Sequence, residues 1–286
     1  MSAVASPPGF AVSPGEGDLP RLTLAAPDGA TAEVYLYGAH VASWIPSGDE
    51  ERLFLSRASA FRAGAPIRGG VPLIFPQFGL TGPLPLHGLI RLMTWEFAGA
   101  HTTGDAAVAS FRVADNEASR RLWPHAFLAE VMITIGGRRL TLALDVSNAG
   151  AEVFSFTAGF HTYFAISNLD ATRVEGLMGA HYRDNVAGGE ADQTLPVVEF
   201  PGEVNRIYLD APAELRLVEA DRTTLIRSTG FPDAVVWNPG AARIATMVDL
   251  EPNDYRRFVC VEAVCIGRPV TLAPGQHWQG TQTMLA

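Results

Sequence analysis

The chain has 286 residues, 48% of them hydrophobic and 18% charged, with a formal net charge of −9 at pH 7. It is long enough for a sizeable core, and no apolar run approaches the roughly 18 residues of a membrane span. All 21 basic residues are arginine, which excludes Schiff-base chemistry, pyridoxal phosphate anchoring and a Walker-type phosphate loop, because each needs a lysine. A net negative chain without a basic cluster interleaved with aromatics also argues against nucleic acid as a partner.

Residues 1–20, MSAVASPPGFAVSPGEGDLP, have neither a basic n-region nor an apolar h-region. They are expected to be a partly ordered N-terminal segment of a cytoplasmic protein, not a secretory signal. The G-x-G of Gly15 and Gly17 runs into Leu19 and Pro20 instead of a helix, so a dinucleotide fold has no support. Short runs rich in Val, Ile, Leu, Phe, Thr and Tyr then recur between Gly, Pro, Asn and Asp clusters, the pattern of an all-β sandwich. Predicted strands cover Leu22 to Ala25, Ala32 to Leu36, Ala107 to Val113, Leu128 to Ile135, Leu140 to Ser147 and Val153 to Phe160. Further ones cover Leu215 to Glu219, Thr224 to Ser228, Ala234 to Asn238 and Phe258 to Ile266. Gly136 and Gly137 suit a hairpin turn, and the stretch from Asp249 to Arg257 is the best short helical pattern. No repeat or linker divides the chain, so residues 1–286 are expected to form a single domain.

The stretch from Arg68 to Trp95, RGGVPLIFPQFGLTGPLPLHGLIRLMTW, crowds arginine, histidine, proline and glycine between apolar runs. Its glycines and prolines predict a stiff, irregular loop. Between residues 51 and 100 the basic residues are Arg52, Arg57, Arg62, Arg68 and Arg91, against Glu51 and Glu96 alone. Either these are surface arginines between turns, or the loop holds Arg68, His87 and Arg91 around a small polar ligand.

In VFSFTAGFHTYFAI, period-two alternation puts Phe154, Phe156 and Phe160 on one face and Ser155, Thr157, Gly159, His161 and Tyr163 on the other. His161 is then either a structural histidine or part of a site, with Gly159 a place where a ligand could approach closely. Glu262 lies within the apolar run of RRFVCVEAVCIG, where a carboxylate is rarely buried without a partner. It either pairs with a buried arginine or faces a pocket as a general base. Cys260 and Cys265 would lie about 16 Å apart on one extended strand, beyond disulfide reach, so free thiols are expected. The seven histidines lack ligand spacing such as H-x-x-x-H, and no G-x-S-x-G elbow is present, so neither a metal nor a serine triad is expected.

Seven ordered blocks together resemble the aldose 1-epimerase superfamily, and more closely its hexose-6-phosphate mutarotase branch. They are YGAHVASWIP, FLSRASAFRAGAPIRGGVPLIFPQFG, LPLHGLIRLMTWEF, FHTYFAI, VNRIYLD, VVWNPG and YRRFVCVEAVCIGRPVTLAPGQHWQGTQTM. The resemblance runs from about Leu22 to the end of the chain. It implies a large antiparallel β supersandwich of the galactose mutarotase type, with the sugar site on a concave face. It implies Glu262 as general base, His161 as general acid, and Arg68 and Arg91 as phosphate contacts. His87, Gln77 and Asn205 are the further substrate contacts it implies, with no cofactor and no metal. The chain departs from close relatives at Leu86, where they carry glutamine, at Asn205, where they carry aspartate, and at Ala263, where proline is common.

The expected reaction is interconversion of the α and β anomers of a hexose 6-phosphate by ring opening, which needs one base and one acid and no redox step. Two alternatives stay open: a catalytically silent protein that binds a carbohydrate or sugar phosphate, and a mutarotase of a free or modified aldose. The expected partner is a small-molecule sugar phosphate, with no nucleic acid or membrane, and the protein is expected to be a monomer.

Overall fold

Period-two alternation is plainest in Arg139–Asn148, where Leu140, Leu142, Leu144 and Val146 are buried and the residues between them are partly exposed. A computed structural model describes residues 9–286. Of the segment expected to be partly ordered, residues 1–8 lie outside the described residues. The remainder contributes a strand and a short turn.

In chain order the strands are β1 (Phe10–Pro14), β2 (Pro20–Ala25), β3 (Thr31–Tyr35), β4 (His40–Ile45), β5 (Leu73–Ile74), β6 (Glu96–Thr103) and β7 (Ala106–Ala114). They continue with β8 (Phe127–Gly136), β9 (Arg139–Asn148), β10 (Phe154–Phe160), β11 (Tyr163–Ala165), β12 (Arg173–Glu175), β13 (His181–Asp184) and β14 (Glu190–Asp192). The last are β15 (Val197–Val198), β16 (Val204–Leu209), β17 (Glu214–Val218), β18 (Thr223–Thr229), β19 (Asp233–Asn238), β20 (Phe258–Leu272) and β21 (His277–Leu285). The α-helices are α1 (Glu117–Leu122) and α2 (Gly240–Ile244). None of the helices among the described residues is long and apolar enough to cross a membrane.

The strands build three antiparallel sheets. A small one runs β1-β2-β3-β4, a nine-stranded one runs β15-β12-β17-β18-β21-β9-β8-β7-β6, and an eight-stranded one runs β14-β13-β16-β19-β20-β10-β5 with β11 also on β20. One core cluster takes side chains from all three, among them Leu22 and Trp44, Phe111 and Leu142, and Val259 and Val261. This is the all-β supersandwich expected from the sequence.

The hairpin at Gly136 and Gly137 is present, with Gly136 paired to Arg139 across a two-residue turn. Cys260 and Cys265 are both free and buried on β20. The helical expectation for Asp249 to Arg257 is corrected, because only Asp254–Arg256 makes a 3-10 turn. Pro252 biases Glu251 away from the helical region, and the chain must already be extended at Phe258. The irregularity expected of this stretch is present: between Arg68 and Trp95 the regular structure is β5 and one 3-10 turn, Ile90–Leu92.

Candidate functional site

Along β20 successive side chains point to opposite faces. Val259, Val261 and Ala263 enter the main core, while Cys260 and Val264 join separate clusters on the other face, and Glu262 lies between those two. Cross-strand neighbours complete that face. Asn205 opposes Trp237, Trp237 opposes Cys260, and Cys260 opposes Tyr163. One pleat further along, Val235 opposes Glu262. These positions share a face because register in a twisted sheet brings directly opposed side chains together.

This face carries a cavity of about 490 Å³ lined by residues that include Arg68, His87, His161, Trp237 and Glu262. Its size falls within the range of small-molecule sites. A larger groove of about 690 Å³ lies between Pro85–Glu96, α1 and β7. Its charged lining is the exposed Glu96–Arg112 ion pair, so it holds no unpaired acid or base.

Glu262 is 2% exposed, and its Oε1 lies 3.5 Å from His161 Nε2. Its Oε2 and the His161 Nδ1 are buried without a hydrogen-bond partner. Burial pushes the Glu262 carboxyl well above the usual carboxylate range. Burial also depresses His161 well below the usual imidazole range, and His87, Arg68 and Arg91 add to the effect. The His161 backbone N–H donates to Pro72 O at 3.0 Å just past the end of β10. Its ring stacks on Tyr163 at 4.7 Å and meets the rings of His87 and Trp237 edge-on.

Arg68 enters from the loop. Gly69 and Gly70 have φ of 107° and 57°, and a Cβ at Gly70 would lie 2.2 Å from Val41 O. Only glycine lets this segment lie against β4. The Arg68 Nε donates to Asp249 Oδ2 at 2.9 Å and its Nη1 to the Tyr163 hydroxyl at 2.8 Å. Tyr163 and Asp249 outweigh burial and raise the guanidinium above its ordinary value.

His87 has a φ of 62° followed by Gly88 at 72°, a left-handed pair that costs a non-glycine residue on the order of 1 kcal/mol and aims the ring. Its Nδ1 accepts from the Gly79 N–H at 3.3 Å, which leaves Nε2 as the donor. Burial, Arg91 and Arg68 lower its pKa to about 3, so the ring is neutral at pH 7.

Four sequence-derived residues besides the acid and base were expected to touch substrate together with Arg68, and the structure separates them. His87 and Asn205 line the cavity. The Asn205 Oδ1 accepts from Asn185 Nδ2 at 3.0 Å. Gln77 does not line it. Its Nε2 donates to Gly79 O and Leu84 O, each at 3.1 Å, and its Oε1 accepts from Leu84 N at 3.0 Å, so the amide braces the loop. Arg91 does not line it either, its Nη2 donating to Leu86 O at 2.6 Å. Burial first, with Arg68 adding, lowers the Arg91 guanidinium to about 10, which leaves it charged at neutral pH. The expected positive stretch is also thinner than its count, because Arg52 is buried in a pair with Asp49.

Gly159 marks a close approach of strand, not ligand: a Cβ there would lie 2.6 Å from Val264 Cγ1 on β20. Leu86, one of the three departures expected from the resemblance, does line the cavity. Reading the sequence residue by residue missed Trp237, Asn185, Glu203, Arg243 and Asp249. Trp237 was signalled by its place in VVWNPG, while the others stand in stretches with no local chemical pattern.

His161, Cys260 and Glu262 place donor atoms within 4.8 Å of one another. A metal there would have to deprotonate a thiol that burial and Glu262 push well above its usual range.

A family model described as aldose 1-epimerase matches residues 20–285. A protein of Cenchrus ciliaris, provisionally named a glucose-6-phosphate 1-epimerase, is 34% identical over 273 residues, which is 92% of this chain and 83% of that protein. A protein of Escherichia coli with the same provisional name is 32% identical over 237 residues, covering 81% of this chain and 78% of its own. The crystal structure of a provisionally assigned mutarotase from Salmonella typhimurium superposes with a TM-score of 0.90 at 30% identity, covering 98% of this chain and 94% of that one.

Proposed function

The chain belongs to the aldose 1-epimerase family, and from that premise we propose that it interconverts the α and β anomers of a hexose 6-phosphate, glucose 6-phosphate first among them. The observation that carries the reading is the buried Glu262–His161 pair, 3.5 Å apart in a cavity of sugar size. A separation of 3.5 Å exceeds a good hydrogen bond, so the two groups are free to address two oxygens of one substrate.

Glu262 takes the proton of the anomeric hydroxyl while His161 delivers its proton to the ring oxygen. The C1–O5 bond breaks, the electron pair of the former O–H bond forms the aldehyde C=O, and the electrons of C1–O5 stay on the now protonated O5. Rotation about C1–C2 and the reverse transfers give the other anomer. The ring-opening half starts from the Glu262 carboxylate and the His161 imidazolium and ends with the proton on Glu262 and a neutral His161; the raised carboxyl and depressed imidazole lean toward the second distribution, the one that accompanies the open aldehyde. Lifting the base and lowering the acid brings both transfers closer to balance with the sugar groups, and each positioned group contributes on the order of 10²–10⁴-fold.

Arg68, fixed by Asp249 and Tyr163, and the neutral His87 provide donors that hold the sugar oxygens. Trp237 offers an apolar face beside the pair. Arg68 lines the cavity and Arg91 stands behind its wall; together they outweigh Asp249, which gives that side of the cavity a net positive charge suited to a phosphate ester. The test is the rate of anomer exchange by NMR magnetisation transfer with glucose 6-phosphate and with glucose. A preference of tenfold or more in kcat/KM for the phosphate ester is expected, and equal turnover of both sugars would refute phosphate selection.

A further inference from the structure

Thr162 and Gln282 are polar side chains set into the apolar core, both 0% exposed. Gln282 lies on the inward face of β21, between the buried Gly280 and Met284, and directly opposes Leu142 on β9. Thr162 stands in the break between β10 and β11, next to His161. Its hydroxyl donates to Gln282 Oε1 at 2.5 Å, and Gln282 Nε2 donates to Val261 O at 3.2 Å. One amide from the nine-stranded sheet therefore ties together two segments of the eight-stranded sheet, across the core.

Those two segments carry the acid and the base. Phe160 pairs with Ala263 and Tyr163 with Cys260, so the register between them sets His161 opposite Glu262 and Thr162 opposite Val261. The backbone bond from Val261 N–H to Thr162 O is 3.3 Å, longer than the usual range. The His161 Nδ1 and the Glu262 Oε2 have no hydrogen-bond partner, so the aim of the pair comes from the backbone that bears it.

We infer that Gln282, acting with Thr162, is a positioning residue for the proton-transfer pair, holding the His161 segment against the Glu262 segment from beneath. This rests on the reading of the protein as an anomerase and adds the groups that set the geometry of its pair. Neither side chain lines the cavity, so neither touches substrate. Stability alone does not require them, because replacing two buried hydrogen-bonded partners with apolar groups of the same shape can be nearly neutral. A satisfied buried network instead holds one arrangement rigidly. Placement matters steeply here, since a misplacement of about 1 Å can cost on the order of a hundredfold in rate.

The experiment compares wild type, Thr162→Val, Gln282→Leu and the double variant in anomer exchange of glucose 6-phosphate, in urea unfolding and in crystal structures. Gln282→Leu strands the Thr162 hydroxyl in the core, so its unfolding midpoint should fall, and the double variant should recover part of that fall. In both, kcat is expected to drop by about tenfold to a hundredfold with KM nearly kept. Thr162→Val removes one hydroxyl at nearly constant volume; it should lose kcat several-fold, and it carries the test if Gln282→Leu does not fold. In the double variant the separation of His161 Nε2 from Glu262 Oε1 should differ from that of wild type by more than about 0.5 Å. Unchanged kcat in the folded variants, a kcat that returns with the midpoint in the double variant, or an unmoved pair would overturn the assignment. If wild type exchanges no anomers, the anomerase reading fails, and the crystallographic separation alone decides the positioning role.

Discussion

His40 contributes a share of the acid sensitivity of this protein that can be worked out from one side chain. It is 2% exposed on β4, its Nε2 has no partner, and a Cβ at Gly70 would lie 2.6 Å from that nitrogen. Burial lowers its pKa to about 3, with Arg91 adding to the effect and a hydrogen bond to the Gly69 backbone opposing it. In the unfolded chain the group titrates near 6.5. Above that pH both states hold it neutral and it has no effect. Below it the unfolded state takes up a proton that the folded state refuses, so stability falls as pH drops from about 6.5 toward 3. At pH 4.5 the loss is two pH units at about 1.36 kcal/mol each, or about 2.7 kcal/mol from His40 alone. The assay is urea unfolding of wild type and His40→Gln at pH 7 and pH 4.5. His40→Gln should be less stable than wild type at pH 7, for lost packing, yet lose about 2.7 kcal/mol less between the two pH values. An identical pH dependence in the two proteins would refute the reasoning.

Breaking the Arg68 anchor should be costly in two ways. Asp249→Asn leaves a largely buried guanidinium without its carboxylate, so a loss on the order of 1–3 kcal/mol in urea unfolding is expected, with a several-fold rise in KM for glucose 6-phosphate. An unaltered KM would remove Arg68 from sugar binding. Gly159→Ala forces a methyl to 2.6 Å from Val264 Cγ1 and 3.0 Å from Ala263 O, and overpacking of this kind typically costs about 1–3 kcal/mol. The drop should appear in Tm, and a neutral effect would show that β10 and β20 can part there freely.

The long strands were legible because each repeats a period-two pattern over several residues, as in β8, β9 and β18. What escaped was short or mixed. β5 has two residues, β14 is entirely exposed acid and alanine, and β21, HWQGTQTML, carries so many polar residues that its alternation is masked. Glu262 stood out because a carboxylate inside an apolar strand demands a reason, and His161 because its neighbours set a polar face. Motif matching placed Arg91 at the phosphate and Gln77 among the substrate contacts because a motif fixes identity and not direction. The loop turns Arg91 to Leu86 and folds Gln77 back on Leu84. Asp249 and Arg243 were out of reach for another reason. Asp249 meets Arg68 across 181 positions of sequence, a pairing that only the closed fold creates.

The central claim is that Glu262 and His161 together move the protons of anomer exchange. Its most direct measurement is magnetisation transfer between the α and β anomeric signals of glucose 6-phosphate with wild type and with Glu262→Gln, an isosteric change that removes the base. Wild type should accelerate exchange over the uncatalysed rate, and Glu262→Gln should lower kcat by about 10²–10⁴-fold while still binding the sugar phosphate. Full exchange activity in Glu262→Gln would contradict the account.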